Sequence, residues 1–136
     1  MKLERIYQVL MGHLDKGFAA APVVAPKQDY RTKGDPWIRV EFEPGETMGL
    51  EFGPDPVSFR KGLLRFLIYV PENSGRDRGL ALSDELEELY RLYDPGGMFC
   101  SDPYTLTGDD DDKVNGFWHL EVRVPWQSSV EKVSNE

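Results

Sequence analysis

Apolar and polar positions alternate along this chain with two different periods. From 2 to 16, Leu3, Ile6, Tyr7, Leu10 and Leu14 recur at spacings of three and four, which predicts an amphipathic helix stopped by Gly17. The segment 19–26 is small and apolar with Pro22 and Pro26, and reads as a short edge strand or extended link. Residues 27–35 are polar and read as a loop. The period then becomes two. Ile38, Val40 and Phe42 share one face and Trp37, Arg39 and Glu41 the other, which predicts a half-buried strand closed by a turn at Pro44-Gly45. Residues 46–58 carry Gly49, Gly53, Pro54 and Pro56 and read as a loop or loose hairpin arm. The run 60–70 is apolar on both faces in its second half, as expected of a central strand ended by Pro71.

A second helix is predicted over 76–93. Leu82, Leu86, Leu89, Tyr90 and Tyr93 form its buried stripe, and Glu85, Glu87, Glu88 and Arg91 its wet face. Ser74 with Asp77 makes a partial capping box, and Pro95-Gly96-Gly97 stops the helix. Two strands follow, over 98–106 and 117–126. In the second, Trp118, Leu120, Val122 and Val124 alternate with His119, Glu121 and Arg123. The expected architecture is a single α+β domain over 1–126, with a mostly antiparallel sheet and two helices on its apolar face, then a polar tail over 127–136.

Composition narrows the function classes. The 136 residues have ordinary globular composition, 40% hydrophobic and 29% charged, which excludes wholesale disorder. The net charge of −8 is opposite to that of a general nucleic-acid binder, so no sequence-specific nucleic-acid partner is expected. No apolar run approaches the roughly 20 residues of a membrane span, and no membrane partner is expected. Ala19-Ala20-Ala21 resembles a signal cleavage site, but Glu4, Arg5, Gln8 and His13 interrupt what precedes it, so secretion is not expected. Charge is uneven: residues 1–70 carry a net +1 and residues 71–136 a net −9. Such a split suits complementary contact between copies or a basic partner.

Candidate chemistry is sparse. Cys100 is the single cysteine, so no intrachain disulfide forms, and a lone cysteine reads as a small buried apolar residue. His13 and His119 are the only histidines, too few with one cysteine for a zinc site. Asp109, Asp110, Asp111 and Asp112 are weak metal candidates. Four adjacent carboxylates do not follow the spaced ligand pattern of a calcium loop, and they read first as solvated surface. No phosphate loop, nucleophile elbow or triad pattern is present, and no cofactor is expected. Candidates for an interface with other copies or with a partner assembly are the charged residues Arg39, Arg60, Lys61, Arg65, Glu121 and Arg123. Arg60, Lys61 and Arg65 are expected to meet acid from a neighbour.

Three segments together resemble a known family. They are Pro36-Trp37-Ile38-Arg39-Val40 with Pro44-Gly45; Arg60 to Pro71; and Gly75 with the helix from Leu82 to Tyr90. The closing strand from His119 to Val124-Pro125-Trp126 fits as well. This order resembles the tail terminator (tail completion) proteins of long-tailed bacteriophages and prophages, of the lambda type. The resemblance implies a non-enzymatic ring, usually of six copies, on the head-proximal end of the tail tube. Such a ring stops tube polymerisation and offers a surface for joining the head. The implied partners are other copies, the tail tube protein and the head–tail connector protein. The implied location is the virion tail, after assembly in the host cytoplasm. The family offers no counterpart for Asp109 to Asp112. A connector or adaptor of the neck is the nearest alternative. A small metal-dependent enzyme using the acidic loop and His119 is a third reading.

Overall fold

A computed structural model describes residues 1–24, 35–50, 57–71, 76–107 and 117–129. The order is α1 (Leu3–Gly17), β1 (Val23–Val24), β2 (Trp37–Leu50), β3 (Val57–Pro71), α2 (Arg76–Tyr90), β4 (Met98–Cys100), β5 (Tyr104–Thr107) and β6 (Phe117–Ser129). The sheet runs β1-β2-β3-β6-β4, with β5 also on β6. Among the described strands only the β1–β2 pairing is parallel. The chain is thus one α+β domain with a mostly antiparallel sheet, and the sheet carries both helices on one face.

Parity along the strands decides what is buried. In β3, Leu64, Phe66, Ile68 and Val70 are all buried, as are Leu120, Val122, Val124 and Trp126 in β6 and Ile38 and Val40 in β2. These even-numbered positions face α1, through Ile6, Leu10 and Leu14, and α2, through Leu82, Leu86 and Tyr90. Tyr90 satisfies its hydroxyl inside this core by donating to the Leu10 carbonyl at 2.7 Å, tying α2 to α1. His13 bonds through Nε2 to the Leu89 carbonyl at 2.7 Å and stacks on Tyr93 at 3.7 Å. It therefore serves the orphan carbonyls at the end of α2 as well as lying near the end of its own helix. At the other end of α2, the Arg76 guanidinium lies 3.7 Å over the Trp118 ring.

Several element boundaries differ from the expected ones. Gly17 is the last residue of α1, but its backbone is not left-handed; the position lies against Leu89, where a Cβ would come within 2.3 Å of that side chain's tip. The chain does not turn at Pro44-Gly45. β2 runs on to Leu50, with a register shift between Pro44 and Thr47, and makes a long hairpin with β3. The reason lies in the edge. The Ile38 N–H bonds outward to the Pro22 carbonyl, so residues of the same parity through Pro44 direct their N–H away from β3. The missing donor of Pro44 therefore removes nothing from the β2–β3 ladder. Helix α2 ends at Tyr90, three residues early, because Leu92 adopts a left-handed backbone with φ 58.

The strand expected over 98–106 is two strands. Pro125 of β6 accepts from the Ser101 N–H, so its own missing N–H faces the same edge, where the pairing breaks between β4 and β5. The polar tail expected from 127 also needs correction. Gln127, Ser128 and Ser129 complete β6 and pair with Lys61, Arg60 and Phe59. Ser128 occupies a core-phase position, only 2% exposed, and donates its hydroxyl to the Gly97 carbonyl at 3.0 Å. Ser74 of the capping-box reading lies outside the described residues.

Candidate functional site: the helix-free face of the sheet

The odd-numbered positions of β2, β3 and β6 point away from the helices. Cross-strand register places Glu41 beside Arg65 and Arg65 beside Arg123, with Leu67 beside Glu121 and Tyr69 beside His119. Tyr104 of β5 lies beside Arg123, and Leu106 beside Glu121. This face brings together Arg65, Glu121 and Arg123 of the expected interface residues, and adds Glu43.

Glu121 is the hub. It is only 8% exposed although none of the described helices covers this face. One carboxylate oxygen accepts from both Nε (3.0 Å) and Nη2 of Arg65, and the other from Nε of Arg123. The third Arg65 nitrogen, Nη1, donates to Glu43. Burial pushes the Glu121 carboxyl upward, but the hydrogen bonds from Arg65 and then Arg123 outweigh it and hold the group below its ordinary range. The same bonds raise the two guanidinium groups further; a side-chain bond with Tyr104 adds to the shift of Arg123. A buried carboxylate held by two arginines is a positioned, charge-neutralised group. Glu43 of this network escaped sequence reading because its contact with Arg65 depends on the β2–β3 register.

The other expected interface residues lie apart from this hub. The Arg39 guanidinium is 5.6 Å from the Trp37 ring and 5.8 Å from Tyr69, and those two rings stack at 4.3 Å. Lys61 is exposed on the helix-free face with its ammonium 5.6 Å from the Phe59 ring. Arg60 has the opposite parity and bonds to Thr47 Oγ1 at 3.2 Å, across the hairpin. Next in the strand, Gly62 leaves room for the Trp126 ring; a Cβ there would meet that ring at 2.2 Å and the Glu43 carbonyl at 2.6 Å. Arg65 is already paired with acid of its own chain; among the described residues Arg60 bonds to the neutral Thr47 hydroxyl and Lys61 lies over the Phe59 ring.

The described residues contain no group of three or more His, Cys, Asp or Glu placed to hold a metal. Asp109 to Asp112 lie outside the described residues. His119 neighbours Tyr69, with ring centroids 6.3 Å apart. Cys100 is buried, and desolvation pushes its thiol up to about 12, so it stays protonated and unreactive at neutral pH. No described helix is long and apolar enough to cross a membrane.

A solved protein structure 12% identical in sequence superposes with a TM-score of 0.67, over 96% of this chain and 98% of its own. At that identity the likeness speaks for the fold. No curated protein matches the chain. The sequence model described as phage tail terminator protein matches residues 5–126, from the first turn of α1 to the buried Trp126 of β6. That span takes in both helices and nearly the whole sheet, and with it the chain belongs to the phage tail terminator family, whose members are structural proteins of tail completion.

Proposed function

We propose that this protein caps the phage tail tube as a closed ring of copies, ends tube polymerisation, and presents the surface on which the head is joined. The family match over residues 5–126 carries this reading. In this reading the partners are further copies of the chain, six to a ring, together with the tail tube protein and the head–tail connector. The site of action is the head-proximal end of the virion tail, reached from the host cytoplasm, and no catalysis is involved.

Physical chemistry supplies the logic. A ring needs a heterologous contact whose rotation closes, and termination needs two unlike ring faces, one matching the tube and one refusing another tube ring. A sheet whose described helices lie on one side presents two unlike surfaces, as a heterologous contact requires. The test is an assembly reaction in which tail tube protein polymerises with and without this chain. The expected result is shorter tubes as the chain is added, with the chain bound at tube ends. Tubes of unchanged length with no bound chain would overturn the proposal. A chain that instead binds only the connector would identify a neck adaptor.

A further inference from the structure

We infer that the helix-free sheet face around Lys61 is the seat of a second copy of this chain, and that the outer side of α2 fills it; this rests on the ring reading above. The face is part apolar and part charged: Arg65 and Arg123 are paired with Glu43 and Glu121, Glu41 is half-buried, and Lys61 is an exposed cation. Leu63 and Leu67 are half-buried there, Tyr104 and Leu106 are exposed, and Lys61 rises at the hairpin end. A sheet normally buries its apolar positions against another layer. Here one layer is supplied by the chain's own helices, and the described residues supply no helix on the other side.

The occupant follows from charge and direction. The exposed side of α2 carries Asp84, Glu85 and Glu88 around the exposed Leu80 and the small Ala81. Residues 77–94 contain six carboxylates and two arginines, one of which, Arg91, pairs with Glu88. That surface is the complement of a face bearing Lys61 and apolar side chains. The two surfaces lie on opposite sides of one protomer: α2 packs on the even-numbered face, and Lys61 is on the odd-numbered one. They therefore do not meet within a chain, yet they meet naturally between chains arranged head to tail. In that arrangement α2 of each copy covers the bare sheet of the next, and the contact repeats around the ring.

A charge-swap set tests this with full-length protein. The proteins are wild type, Lys61→Glu, Glu85→Lys, the double variant, and an equimolar mixture of the two single variants. Ring population is measured by sedimentation velocity and electron microscopy, alone and on tail tubes, with circular dichroism confirming that each variant is folded. Lys61→Glu sets acid against acid at every contact, and Glu85→Lys sets base against base. Each is expected to lower the ring population at least tenfold. The double variant restores opposite charges at every contact. The mixture restores them when the two variants alternate, which an even-numbered ring permits. Both are expected to recover wild-type rings. Single variants that close rings as well as wild type would overturn the contact while leaving the ring reading intact. Single variants that fail without rescue by the double variant would overturn it too. A wild-type chain that forms no ring, alone or on tubes, would overturn the ring reading and the contact together.

Discussion

The two faces of one sheet are built from the same strands but obey different rules. Toward the helices, β3 and β6 present Leu64, Phe66, Ile68, Val122, Val124 and Trp126, all buried with no ionic group among them. Away from the helices, the same strands present Arg65, Glu121 and Arg123, in which charge is held by charge, with Leu67 beside them. The first face is held by close packing and loses free energy with every atom removed. The second is held by paired charges near solvent, which contribute less to stability and more to what the surface can recognise. Stability and assembly are thereby separated by residue parity along two strands.

Substitutions of opposite parity should break this comparison unequally. Phe66→Ala lies at the centre of the helix side and should cost about 3–5 kcal/mol, read as a large drop in the urea midpoint. A loss below about 1 kcal/mol would mean that the core closes over the gap. Glu121→Gln, on the other face, should cost less, about 1–3 kcal/mol at neutral pH: the amide sets an N–H group against the arginine donors, while Arg65 keeps Glu43 and both guanidinium groups reach solvent.

The Glu121 substitution also carries a pH signature. The carboxyl titrates lower in the folded chain than in the unfolded one, so its stabilisation is complete above the ordinary carboxylate range and is lost as pH falls through the folded value. The gap between wild type and Glu121→Gln should therefore narrow on acidification; a gap independent of pH would remove Glu121 from the account. Lys61→Glu should have the smallest effect on stability, within about 0.5 kcal/mol, because the residue is exposed. Its expected effect is on assembly, and a large stability loss there would blur the separation between the faces.

The sequence showed the parity of the strands plainly. Ile38, Val40 and Phe42 against Trp37, Arg39 and Glu41 placed β2, and the apolar run ending at Pro71 placed β3 at the centre. Helix periods located Ile6, Leu10, Leu14, Leu82 and Leu86. What was not legible depended on register. Pro44 reads as a turn until its missing N–H is seen to face away from β3, and Ser128 reads as tail until its hydroxyl finds Gly97. The break between β4 and β5 was hidden because its cause, Pro125, lies on a different strand. For the site, the charges Arg65, Glu121 and Arg123 were visible as outward positions, but their mutual pairing was not, and Glu43 was missed. The segment Asp109 to Asp112, the most conspicuous charge run in the sequence, lies outside the described residues.

The central claim is that this chain acts at the end of a tail tube. It is tested most directly by electron microscopy of tubes assembled from tail tube protein in the presence of this chain, carrying a label. The account predicts a closed ring of labelled copies at one end of each finished tube and none along its length. Label distributed along the tube wall, or absent from both ends while tubes keep growing, would contradict it.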